Sequence, residues 1–113
     1  MTYSPKRFQD LCEGFLNKEQ DLMNWKADEY SSDQDRLENF HTVAQFQKKR
    51  PSAVAMDYLL KHIQSIEVAI RTQNYKWYWQ TEEDREGLKQ RICDARNYLL
   101  LLAACIDEEG EGS

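Results

Sequence analysis

Glycine and proline are scarce in this chain, with four Gly and two Pro among 113 residues. That leaves little material for the closely spaced turns of a β-sandwich or barrel. No apolar run approaches the roughly 18 residues that a membrane span requires, so no membrane partner is expected. The start, MTYSPKRFQD, lacks the apolar core of a secretory signal, and a cytoplasmic location is the expectation. Cysteine is limited to Cys12, Cys93 and Cys105, an odd number without C-x-x-C spacing. Each falls on or beside an apolar helical stripe, which predicts buried thiols rather than disulfides. Basic clusters are equally sparse. Lys48-Lys49-Arg50 is the one positive run, and its place near a helix C-terminus complements the dipole there. Nucleic acid is therefore not an expected partner.

What is present is apolar residues at helical spacing. The first stripe is Phe8, Leu11, Cys12, Phe15, Leu22 and Met23, opened by Ser4-Pro5 as cap and first helical residue, and ending near Ala27. A shorter helix carries Leu37, Phe40, Val43, Ala44 and Gln47, and stops at Arg50-Pro51. The third is predicted from Ser52 as N-cap to about Gln73, with Met56, Leu59, Ile63, Ile66 and Ile70 as its seam. Thr81 with Asp84 marks the predicted start of the fourth, which holds Leu88, Ile92, Ala95, Leu99, Leu102 and Ile106. Connections this short predict an all-α, antiparallel four-helix bundle in a single domain, residues 1–106. The net charge is −5, four of those negatives lying in DEEGEGS (107–113), a stretch expected to form a solvated tail. YLLLLAACI (98–106) is apolar almost all round, and in so small a chain a second subunit is the simplest cover. A homo-oligomer is expected.

Several polar groups sit where they would be costly unless paired or bound to something. His62 falls just inside the apolar arc of the third helix, beside Tyr58 and Ala69, with Lys61 on its border. Arg91, Asp94 and Tyr98 flank the apolar face of the fourth helix. Convergence of Lys61, His62, Arg91 and Asp94 would make a polar pocket for a phosphate-bearing ligand, with Asp94 able to touch a metal. An internal ion pair of Asp94 with Arg91 or Lys61, with His62 a satisfied boundary histidine, accounts for the same pattern. The turn and helix start at 26–40 crowd Asp28, Glu29, Asp33, Asp35 and Glu38, oxygen ligands suited to Mg²⁺ or simply to a helix N-terminus. In NYKWYWQ (74–80), Tyr75, Trp77, Tyr78 and Trp79 crowd one connection. They could stack a nucleobase, anchor an interface or close the end of the bundle.

DEYSSDQDRLENFHTVAQFQ, LLKHIQSI and ICDARNYLLLLAA, in that order, resemble small phage-associated, MazG-like all-α domains linked with nucleotide metabolism or modification. The resemblance covers about residues 26 to 104. It implies a nucleotide-binding protein in a host cytoplasm, possessing or having lost a Mg²⁺-dependent pyrophosphohydrolase activity. In that activity, acids of E-x-x-E and E-x-x-D motifs hold the metal against phosphates. Here Asp94 matches the final acid of E-x-x-D, Arg91 stands in place of its Glu, and Gln64-x-x-Glu67 stands in place of E-x-x-E. The resemblance thus implies Glu29, Glu67 and Asp94 as metal ligands and Lys61 and Arg91 as phosphate contacts. Asp94 and His62 would be catalytic, and Tyr98, Trp77 and Trp79 would contact ligand. The other expectation is a non-catalytic oligomer that sequesters a nucleotide or binds a host protein.

Overall fold

The computed structural model describes residues 2–30, 35–81 and 86–111, and for residues 22, 23, 25–30 and 111 the backbone alone. Among these residues the fold is all helical, with α1 (Pro5–Tyr30), α2 (Glu38–Gln47), α3 (Pro51–Arg71) and α4 (Leu88–Glu111). The central pair is α3 against α4; α2 lies on α3, and α1 touches α4.

The α1 start follows the sequence. Ser4 Oγ accepts the Arg7 N–H at 3.1 Å, and Pro5 occupies the first position, where a missing N–H costs nothing. The α3 start does not. Pro51 is its first residue, Arg50 is the N-cap, and no side chain of its own caps it. Ser52 instead lies inside the first turn and donates its N–H and hydroxyl to Glu109 of α4, at 3.0 and 2.8 Å. A carboxylate from a remote helix thus satisfies an orphan donor and faces the positive end of the α3 dipole.

Scarcity of glycine shows at the helix ends. α2 closes with the Lys49 N–H on the Ala44 carbonyl and the Lys48 N–H on that of Gln45, and Lys48 sits in the left-handed region at φ 54°. The same closure ends α3, with the Asn74 N–H on Ala69 O, the Gln73 N–H on Ile70 O, and Gln73 at φ 56°. Glycine is the usual occupant of that position. Two side-chain-bearing residues hold it here at a conformational cost.

Two boundaries move from their expected places. α4 begins at Leu88, well after Thr81, because the preceding segment folds back on itself. Gln80 and Glu86 form an antiparallel bridge, the Gly87 N–H reaches Trp79 O at 2.8 Å, and the Leu88 N–H reaches Lys76 O at 2.8 Å. A Cβ on Gly87 would lie 2.0 Å from the Tyr78 carbonyl oxygen, so glycine is required by this close approach. At the other end, residues expected to form a tail from position 107 continue the helix to Glu111. Glu109 caps α3, and Glu108 accepts from His41 Nε2 at 2.6 Å. Those acids are anchored.

The main core is built from Leu37, Phe40, Ala44, Val54, Ala55 and Cys105, where α2, α3 and α4 meet. Burying a side chain the size of Phe40 contributes about 2–3 kcal/mol. The inward face of α3 agrees with the expected seam at Leu59 and the half-buried Ile66, and differs from it elsewhere. Val54, Ala55, Leu59 and Ala69 are buried, whereas Met56, Ile63 and Ile70 face outward. Small residues allow α3 close to its neighbours, and the larger aliphatic ones take the opposite arc. Cys93 and Cys105 are buried and Cys12 half-buried, none in a disulfide.

Candidate functional site

At the middle of the α3–α4 pair an aromatic wall is assembled by one-turn spacing. Tyr58 and His62 lie four residues apart on α3, and Tyr98 meets both from α4. The His62 and Tyr98 rings stack with centroids 4.9 Å apart and planes at 26°. Tyr58 lies 6.0 Å from Tyr98, and Phe40 of α2 packs against both tyrosines. His62 is therefore a half-buried boundary residue held by an aromatic ring.

Beside this wall opens a cleft of about 370 Å³ between the end of α2 and the first half of α3. Tyr58 and Val54 form its floor, and Gln47, Lys49, Asp57 and Lys61 its polar rim. Lys61 Nζ lies 5.7 Å from the centroid of the Tyr58 ring, a cation–π contact on an exposed side chain. Lys49 Nζ donates to Asp57 at 3.0 Å. One ammonium group thus stands over the tyrosine, and a second lines the same cleft, paired with a single carboxylate.

Asp94 lies elsewhere. It is buried, and the Gln90 amide donates to its Oδ1 at 3.1 Å. Neither Arg91 nor Lys61 pairs with it. Arg91 is half-buried at the start of α4. One turn beyond Asp94, Asn97 is 1% exposed, and its side-chain carbonyl Oδ1 has no hydrogen-bond partner among the described residues. Gln90, Asp94 and Asn97 form a buried polar row on α4, rich in acceptors. Its neighbour Cys93 has its thiol pushed up to about 11 by burial, then by the negative charges of Asp94 and Glu19.

Of the acids implied as metal ligands, Glu67 and Asp94 have separate hydrogen-bond partners. Glu67 is exposed and accepts from Arg71 Nε at 3.1 Å, one turn along its own helix. Glu29 lies in α1 with its side chain outside the described residues. Among the described residues there is no group of three or more His, Cys, Asp or Glu arranged to hold a metal ion. The described residues thus do not form a Mg²⁺ cage. Asp28 shares the position of Glu29, in α1 but without a described side chain, and Asp33 lies outside the described residues altogether.

The crowded aromatic connection divides. Trp79 turns inward and meets the edge of Phe15 at 4.8 Å, closing the end between α1 and α4. Trp77 stays exposed, 5.3 Å from Lys89 Nζ, and walls a second hollow of about 400 Å³ with Phe8, Phe15, Leu16 and Ile92. Arg96 stands at its edge, held by the buried carboxylate of Glu19 on α1. Neither tryptophan lines the Lys49–Lys61 cleft.

Three residues of consequence were invisible in the sequence pattern. Lys49 read as a helix-end cation, and Asn97 and His41 only as parts of motifs. His41 in fact joins three segments, with Nδ1 2.9 Å from Asp35 and Nε2 2.6 Å from Glu108. The hydrogen bond to Glu108 is the largest of the causes that raise its pKa above the ordinary imidazole value. No sequence signal marks a pairing that spans from residue 41 to residue 108.

The chain matches no protein-family model, and no curated protein or solved structure matches it. Among the described residues, no helix is long and apolar enough to cross a membrane.

Proposed function

We propose that this chain binds a nucleotide or nucleotide-like phosphate ester on an antiparallel, MazG-like four-helix scaffold, with no carboxylate cage for catalysis among the described residues. The observation that carries the reading is the cleft of about 370 Å³ with Tyr58 in its floor and Lys49 and Lys61 on its rim. Its size falls within the range of small-molecule sites. An aromatic face stacks a base whatever its identity, and two ammonium groups attract phosphates as point charges. The motif order over residues 26–104 supports the same ligand class.

The roles assigned to residues shift accordingly. Lys61 keeps its phosphate role and gains Lys49 as a partner. His62 supports the wall through Tyr98, and Asp94 with Asn97 forms a buried acceptor pair on α4. Mg²⁺ enters as a companion of the bound phosphates, since this ion commonly keeps its waters and takes few protein ligands. Hydrolysis to a monophosphate and pyrophosphate is the stronger form of the proposal, and it would depend on Asp94.

The experiment is a panel of nucleoside mono-, di- and triphosphates, each with Mg²⁺ or Mn²⁺, read by thermal shift and pyrophosphate release together. Stabilisation without turnover is the expected result. Turnover abolished in Asp94→Asn would establish the hydrolase form instead. A panel that neither stabilises the protein nor turns over would sink the reading. A second reading, a non-catalytic oligomer that binds a host protein, is favoured by one observation: many large apolar side chains remain exposed, including Met56, Leu60, Ile63 and Ile70 along α3.

A further inference from the structure

The outward arc of α3 carries its own pattern. Met56, Leu60, Ile63, Glu67 and Ile70 follow one another at intervals of four, three, four and three residues. That is the seam spacing of paired helices. The four apolar members are 42%, 49%, 46% and 56% exposed, although the sequence periodicity alone places Met56, Ile63 and Ile70 in a core. The radius of gyration, 16.1 Å, exceeds the roughly 13 Å of a compact chain this long. Apolar surface of this kind on an extended single chain marks an association face.

We propose that this arc is a homodimer seam in which α3 pairs antiparallel with α3 of a second copy, about a two-fold axis near Ile63 and Gln64. The argument for a second copy is the charge on one flank of the seam. Asp57, Gln64 and Arg71 each follow a seam residue, at seven-residue intervals. An antiparallel two-fold sets this flank against itself in reverse, because residue i meets j while j meets i. Asp57 then faces Arg71 of the partner subunit at both ends, and Gln64 faces its own copy at the centre. Their present partners, Lys49 for Asp57 and Glu67 for Arg71, are solvent-exposed pairs that yield at little cost.

Glu67 fixes the orientation. A parallel pair would set the two Glu67 side chains together in the seam. The antiparallel pair separates them by about 10 Å, at about 1.5 Å of rise per residue, and places each near Leu60 of the other subunit. A charged residue at a seam position weakens the pair while selecting its register. The four apolar residues and one charge therefore give a concentration-dependent dimer rather than an obligate one.

The test is sedimentation equilibrium of the full chain from the low micromolar to the high micromolar range, with variants at exposed positions. Dimer is expected, with Ile63→Glu monomeric throughout and Glu67→Leu binding at least about tenfold tighter. Asp57→Arg and Arg71→Asp each weaken the dimer, and the double reversal recovers most of the loss. Gln64→Cys forms an intersubunit disulfide on mild oxidation, and Asp57→Cys does not. Circular dichroism of each variant separates lost association from lost folding, and any variant that unfolds is replaced by Leu60→Lys. The proposal is overturned by a monomer at every concentration, by a dimer indifferent to Ile63→Glu and Leu60→Lys, or by Asp57→Cys cross-linking as readily as Gln64→Cys. Ile63, Gln64, Glu67 and Arg71 lie outside the residues that line the Lys49–Lys61 cleft, so the outcome of their variants is independent of the ligand reading.

Discussion

Replacing His41 with glutamine removes a cation that joins the start of α2 to the end of α4. His41 stands between Asp35 and Glu108, with its side chain about one-third exposed and those of its partners 40% and 49% exposed. At such exposure each pair contributes about 0.2–1 kcal/mol, so the clamp contributes about 1 kcal/mol while the imidazole is charged. For a domain near 100 residues, that corresponds to a melting-temperature loss of about 4–8 °C. The pH dependence has a definite sign. The folded-state pKa of His41 is raised, chiefly by the Glu108 hydrogen bond. Its contribution is therefore complete below the ordinary imidazole value, about 6.5, and fades as pH rises through the raised folded value. Thermal melts of the parent and His41→Gln between pH 5 and 9 should show their largest difference at the acid end, narrowing toward pH 9. A difference constant across that range, or widening with pH, would refute the clamp and with it the anchoring of the C-terminal acids.

Ser52→Ala removes one of two donors to Glu109 and should lower stability by about 1 kcal/mol, as a lost helix cap does. Because those donors hold the Glu109 carboxyl below its ordinary range, the Ser52–Glu109 contribution is present above that ordinary value. It is lost as pH falls through the lowered one, so acid unfolding of the Ser52→Ala variant should show a weaker dependence there. Lys48→Gly and Gln73→Gly each relieve a left-handed backbone and should raise stability by about 1 kcal/mol in denaturant melts. Destabilisation by both would show that the side chains, not the backbone, decide those helix ends. Gly87→Ala, by contrast, forces a methyl into the Tyr78 carbonyl and should disrupt the segment before α4. A parent-like melt and unchanged near-ultraviolet circular dichroism would contradict that packing.

Helix number and the start of α1 were legible because they rest on local signals: Ser4 before Pro5, an apolar residue every third or fourth position, and Pro51 as a stop. Which arc faced inward was not. Periodicity draws both arcs of α3, and only the neighbours decide that Ala55, Leu59 and Ala69 face the core while Ile63 and Ile70 face solvent. The C-terminal acids read as solvated because nothing local marks Ser52 and His41 as their partners. The start of α4 was hidden for a related reason, since Gly87 gains its meaning only from Tyr78. For the candidate site, the sequence singled out Lys61, His62 and Tyr98 from their awkward arc positions, and the last two do stack. It grouped Arg91 and Asp94 with Lys61, whereas Asp94 lies buried with Gln90, and Lys61 stands over Tyr58 beside Lys49.

The most direct measurement of the central claim is calorimetric titration of a nucleoside triphosphate with Mg²⁺ into the parent chain and into Lys49→Ala/Lys61→Ala. Both substitutions are at exposed positions, and melting curves establish that the variant is folded. The account predicts saturable binding by the parent, weakened at least about tenfold, or 1.4 kcal/mol, when the two ammonium groups are removed. Absence of binding by the folded parent, or equal affinity in the variant, would contradict it.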